Sequence, residues 1–230
     1  MINCTFIIVC YNDNSNLRIS LEKMSKYLSD EMKLLVIDGN STDDTLATLI
    51  EYKDNFGTNF NFISEQDLGL YDAMNKGWNL CGSDDYICYL GAGDYLLNFP
   101  SSVSQESDVY FGEVLLGTKK FRMNVDKFQN KYLGNYIHHQ GLLIRRREIT
   151  SPFDLEFPTY ADYNFNLKLL STNVRFVYLY DFQTYADPYG ISSNLNFTEM
   201  IRVIYCNSGI LGLFLFSSSY ILKRLNRFLK

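Results

Sequence analysis

The chain has 230 residues, 47% of them apolar, which allows one large α/β domain with a sizeable core. Its formal net charge of −5 is unevenly spread: residues 201–230 carry Arg202, Lys223, Arg224, Arg227 and Lys230 and no acid, so this tail is +5 and the rest is −10. Such an acidic body argues against a nucleic-acid partner, while a basic tail beside an apolar run suits an anionic membrane surface.

The opening residues, MINCTFIIVCYN, enter a β-branched apolar run without a basic region or a small-residue cleavage site, so a cytoplasmic chain is expected. Cys4, Cys10, Cys81, Cys88 and Cys206 form no CxxC pair, which argues for free, buried thiols and against a disulfide framework or a zinc knuckle. Residues 5–10 and 34–37 are short apolar runs separated by a helical pattern through Leu17, Leu21, Met24 and Leu28, a βαβ unit. A second helix follows in NSTDDTLATLIEY, with Ser41 or Thr42 as its cap and Leu46, Leu49 and Ile50 as its apolar stripe. Strands at 60–63 and 86–90 flank SEQDLGLYDAMNKGW, a loop that becomes a helix from about Gly69 to Leu80. This alternation predicts a mainly parallel sheet flanked by helices on both faces.

Beyond Asp94 the alternation stops. DVYFGEVLLGTKKFRMNV predicts a strand and a hairpin turning near Gly117, IHHQGLLIRR another strand, and YADYNFNLKLL a helix. Nothing marks a domain boundary before the tail, so residues 1–195 are expected to form one doubly wound unit, with 1–98 and 99–195 as its halves, followed by an apolar, basic helical tail over 196–230. Residues 203–222 are uncharged, and an interfacial helix is preferred there over a packed helix or a membrane span.

Ligands of open parallel sheets bind beyond the carboxyl ends of the strands, where the turns CYNDN, DGNSTDD and GAGD converge. The first glycine is Gly39, so no glycine-rich phosphate cradle follows the first strand. A nucleotide bound there needs a carboxylate-held divalent cation instead, for which Asp94 is the candidate; the alternative is an aspartate that only caps its turn. Asp38 is read either as an acceptor for a nucleotide's base or ribose, or as the head of a strand-end turn.

FIIVCYN, LLVIDGNSTDDT, SEQDLGLYDAMNKGW, YICYLGAGDYL, IHHQGLLIRR and YADYNFNLKLL together resemble the family 2 glycosyltransferases, especially the branch that assembles bacterial O-antigen and capsular polysaccharide. The resemblance covers roughly residues 4–193. It implies a GT-A fold and inverting transfer of a sugar from a UDP-sugar with Mn²⁺ or Mg²⁺, while the tail over 201–230, read as a peripheral contact with the inner face of the membrane, suits a polyprenyl-diphosphate-linked saccharide acceptor, with homo-oligomerisation left open. Carried over by position, it assigns donor binding to Tyr11, Asn12, Asp38, Glu65, Asp67, Gly69, Tyr71, Asp72, Asn75, Lys76 and Ser192. Asp72, Asn75 and Lys76, at i, i+3 and i+4, are expected to act as one unit, against the alternative of a solvated helix face. Many members have a DxD motif where this chain has GAGD, so the cation is expected on Asp94, the diphosphate, water and His139; a packed core histidine is the alternative for the last. Asp162 is placed as the catalytic base, against a plain helix-capping role, and the loop through Gly190 and Ser192 as a closing loop. A sugar-phosphate nucleotidyltransferase and a non-catalytic nucleotide-sugar scaffold are the competing functions.

Overall fold

A computed structural model describes residues 2–123, 135–147, 149, 151–172, 174–188 and 196–228, with side chains as far as 218. Four strands, β1 (Cys4–Cys10), β2 (Met32–Asp38), β3 (Phe60–Ser64) and β4 (Tyr86–Gly91), run parallel in the spatial order β3-β2-β1-β4. Their register sets Cys10 beside Asp38, Asp38 beside Ser64 and Val9 beside Gly91, so the three turns predicted to converge leave one edge of the sheet together. Between these strands run α1 (Asn14–Ser25), α2 (Thr45–Phe56) and α3 (Leu70–Leu80).

Alternation along β1 explains the layering. Phe6 and Ile8 face a core with Leu17, Leu21 and Met24 of α1 and Leu49 of α2, while Ile7 and Val9 face Met74 and Trp78 of α3. With both faces covered, every residue of β1 is buried, as a parallel strand requires. The sheet then continues through β5 (Tyr95–Asn98), β6 (Val109–Leu116), β7 (Lys119–Arg122), β8 (Leu142–Arg145) and β9 (Phe176–Ala186), ordered β4-β8-β6-β9-β5 with β7 on β6. Gly117, at φ +58, makes the predicted β6–β7 turn. Helix α4 (Ala161–Ser171) packs on the α3 face.

The structure corrects four local expectations. Leu46 and Ile50 of α2 are exposed and only Leu49 of the predicted stripe is buried, because α2 lies over the edge strand β3. Neither Ser41 nor Thr42 caps α2, whose N-cap is Asp44. His139 precedes β8 on a short 3₁₀ turn rather than on a strand. Phe182–Ala186, which lead into the expected closing loop, are the end of β9, and β5 and β9 were not anticipated as strands.

Residues Phe197–Phe228 form a helix, α5, broken at Gly209, whose φ of 58° and ψ of −154° lie outside helical space. The chain doubles back there. The Phe216 ring lies 5.8 Å from Phe197, a pair that a continuous helix would separate by roughly 28 Å. Val203, Ile204 and Phe216 face the core, whereas Ile210, Leu211 and Phe214 near the bend are 78%, 69% and 67% exposed. Four of the five cysteines are buried as expected, and Cys206 on α5 is exposed.

Candidate active site

One side of the candidate site is built from the ends of β1, β2 and β3. Asn12 takes a positive φ of 50°, which lets its backbone N–H reach Ser41 Oγ at 2.7 Å while its side-chain oxygen accepts the Thr42 N–H at 2.7 Å. Asp38 is fully buried, and its carboxylate accepts the Ser41 N–H at 3.1 Å and the Ser64 hydroxyl at 2.6 Å. Of the two readings the geometry matches the head of a strand-end turn, whose carboxylate ties the ends of β2 and β3 together. Sequence reasoning could weigh this alternative but could not see Ser64 beside it. Above Asp38, a Cβ on Gly39 would fall 2.6 Å from Asp67 Oδ2 and 3.2 Å from the Tyr11 ring, so these three residues make one rim. The Tyr11 ring is 63% exposed and free to take a flat ligand.

The next segment folds back on its own helix. Gly69 begins α3 at φ +121, a conformation open to glycine, and Asp67 accepts its N–H at 2.9 Å. Asp72 accepts the Leu68 N–H at 2.9 Å, and the Lys76 ammonium donates to the Gln66 carbonyl at 2.6 Å while pairing with Glu65 at 3.0 Å and Asp72 at 3.5 Å. Asp72 and Lys76 thus act together, but Asn75 does not join them. Its buried amide is spent on both backbone groups of Phe153, at 2.7 and 3.0 Å, so Asn75 ties α3 to the segment that precedes α4 and does not join the expected three-residue unit.

Tyr71 points away from the loop and into the protein. Its hydroxyl lies 3.0 Å from the Asp162 carboxylate and 3.0 Å from the Thr159 carbonyl. Burial first, and the negative charge of Asp162 second, push its pKa far up, so the hydroxyl stays protonated and donates. Asp162, in the first turn of α4, also accepts from the Asn135 amide at 2.6 Å and from the Tyr163 N–H at 2.7 Å, and His139 Nδ1 stands 3.8 Å away. Asn166 holds Asn135 in turn at 2.9 Å.

Asp94 closes the turn that follows β4. Its carboxylate accepts the N–H of Gly91 at 2.7 Å, the N–H of Asp187 at 2.8 Å and the Gln140 amide at 3.2 Å. Burial raises its pKa, and these hydrogen bonds offset only part of that. His139 and Gln140 are adjacent, so one short segment approaches Asp162 with its first residue and donates to Asp94 with its second, linking the two acids. Among the described residues no group of three or more His, Cys, Asp or Glu side chains could hold a metal ion. Asp94 is the kind of oxygen donor that, with substrate oxygens, commonly holds a hard cation such as Mg²⁺, whereas the imidazole of His139 is a softer nitrogen donor. Asp94 and His139 would supply the protein's share.

Asn135 and Gln140 were missed. Gln140 is next to the singled-out histidines, whereas nothing in LGNYI marks Asn135. Ser192 and Gly190, expected in a closing loop, lie outside the described residues.

Residues 5–97 match the model for "Glycosyl transferase family 2". The "PGL/p-HBAD biosynthesis glycosyltransferase" of Mycobacterium tuberculosis is 27% identical over 181 residues, 73% of this chain and 69% of that protein. S. aureus TarS superposes with a TM-score of 0.63 at 16% identity over 89% of this chain, which spans 39% of that TarS chain. Its 1–349 form, solved with UDP-GlcNAc, gives 0.61 at 17% over 94% of this chain and 71% of that one. The mannosyltransferase PcManGT from Pyrobaculum calidifontis, solved with GDP-Man and Mn²⁺, gives 0.56 at 15%, over 80% of this chain and 56% of that one. The structural likenesses establish a shared GT-A fold.

Proposed function

We propose, from the premise that this chain is a family 2 glycosyltransferase, that it moves a sugar from a UDP-sugar to a hydroxyl of a lipid-linked saccharide, with inversion at the anomeric carbon. The observation that carries the reading is the arrangement of Asp162 and Asp94 on either side of the His139–Gln140 segment. Asp162 takes the proton of the acceptor hydroxyl as that oxygen bonds to the anomeric carbon. The bond from this carbon to the diphosphate breaks, and its electron pair leaves with UDP on the opposite face. Hydrogen bonds from Tyr71 and Asn135 orient the carboxylate. Tyr11 and the Gly39–Asp67 rim would receive the nucleoside. A divalent cation on Asp94 and His139 would neutralise charge on the departing diphosphate.

The nucleotide-sugars captured in TarS and PcManGT support a diphosphate-sugar donor, and the Mn²⁺ in PcManGT supports a cation. The acceptor is read from the tail. The run Phe197–Ser218 is long and apolar enough to cross a membrane by length and composition, but the break at Gly209 interrupts it. With an apolar bend and a basic end, α5 fits peripheral seating on an anionic bilayer, as on a membrane's inner face, where a polyprenyl-diphosphate acceptor of O-antigen or capsule type resides. The scaffold reading retains one argument, that both oxygens of Asp94 are already engaged. A screen of UDP-sugars against a synthetic lipid-diphosphate GlcNAc or GalNAc acceptor, with and without Mn²⁺, decides. Product with inverted linkage supports transfer, and donor binding without product supports the scaffold.

A further inference from the structure

The first turn of α5 reaches into the start of the helix that carries Asp162. Asn196 and Glu199 close α5 reciprocally: the Glu199 N–H donates to Asn196 Oδ1 at 3.1 Å, and the Asn196 amide donates to Glu199 Oε2 at 3.0 Å. That arrangement needs only one carboxylate oxygen. The other, Oε1, accepts the N–H groups of Thr159 at 2.7 Å and Tyr160 at 2.8 Å, the two amides that immediately precede α4. Glu199 is buried, and its three donors satisfy it. The Thr159 carbonyl, on the same peptide stretch, faces the Tyr71 hydroxyl that also reaches Asp162. Farther along, the Asn207 amide donates to Asn164 Oδ1 at 2.7 Å, so α5 is pinned to α4 at a second point.

We infer that Glu199 is a positioning residue for Asp162: by holding the Thr159 and Tyr160 amides, it fixes the first turn of α4 and with it the carboxylate that meets the acceptor hydroxyl. This rests on the reading of Asp162 as the base. The tail is thereby part of the transfer machinery, because the seat of α5 sets the aim of a group on another helix. Reach matters here more than charge. A carboxylate one methylene shorter still caps α5 but falls short of the two amides, while a glutamine keeps an oxygen in place for them.

The test compares Glu199→Asp, Glu199→Gln and Asp162→Asn in the full chain, measuring kcat, donor KM and UDP-sugar affinity by calorimetry. Glu199→Asp is expected to lower kcat roughly ten- to hundredfold, as a small misplacement of a reacting group does, with donor KM and affinity unchanged. Glu199→Gln is expected to recover most of kcat. The inference is overturned if Glu199→Asp keeps wild-type kcat, if it loses donor affinity along with kcat, or if Glu199→Gln is as impaired as Glu199→Asp. Asp162→Asn separates the two readings: full turnover in that variant removes the base itself, whatever the Glu199 variants do.

Discussion

The hydroxyl of Tyr71 lies 3.0 Å from the carboxylate of Asp162, joining α3 to the first turn of α4. A Tyr71→Phe chain keeps the ring against Phe153 but leaves Asp162 one donor short. Its stability should fall by about 1 kcal/mol, the usual net worth of one such bond. Turnover should drop while donor KM stays put, since the hydroxyl faces the carboxylate and not the nucleotide rim. Steady-state kinetics beside a thermal melt check both; a raised donor KM with unchanged kcat would place Tyr71 on the donor instead.

Asp94 gives a pH signature. Burial raises its pKa above the ordinary 3.8, so on acidification it takes up a proton earlier than a solvated aspartate. Between those two pKa values the folded state holds more protons than the unfolded one, so this group's contribution to stability falls as pH rises through that window. Cation binding runs the other way, because only the carboxylate ligates. Mn²⁺-dependent UDP release should therefore fade on acidification while the fold gains from the same proton. Chelation should abolish release, and Asp94→Asn should demand far more Mn²⁺ without altering the melt by more than about 2 kcal/mol. Release that ignores chelator would remove the cation from the account.

Gly77 serves packing. A Cβ there would lie 2.7 Å from Ile7 Cγ2 and 3.2 Å from Ile37 Cγ1, so its absence lets α3 sit directly on β1 and β2. Gly77→Ala should cost about 1–3 kcal/mol, the range for overpacking a filled core. Chemical denaturation measures it, and an unchanged midpoint would show that the helix can lift away from the sheet freely.

The bend of α5 predicts a lipid preference. Co-sedimentation with vesicles containing anionic lipid should exceed that with neutral vesicles, and a Leu211→Ser, Phe214→Ser chain should lose most of the binding. Equal partition to both vesicle types would remove the electrostatic half of the reading.

Much of the fold was legible because the parallel half obeys simple patterns. The β-branched runs of β1 and β2, the stripe through Leu17, Leu21 and Met24, and the turn at Gly117 stand in the structure as their periods imply. Strand β9 was hidden because its register with β6 spans Val109 to Phe176, a pairing that local pattern cannot reveal. In the site, the turns after β1, β2 and β4 leave one edge of the sheet together as topology suggested. The role of Asn75 and the Ser64 partner of Asp38 escaped, since hydrogen-bond partners such as Ser64 and Phe153 are set by tertiary approach. A helical face cannot say whether its neighbour is solvent or another loop.

The most direct measurement is UDP release and acceptor glycosylation by Asp162→Asn, compared with the unaltered chain over the same UDP-sugars with Mn²⁺. Replacing a general base should lower kcat by about 10²–10⁴-fold, with donor affinity retained. Turnover within a few fold of the unaltered chain would contradict the placement of Asp162 at the reacting hydroxyl, and with it the mechanism.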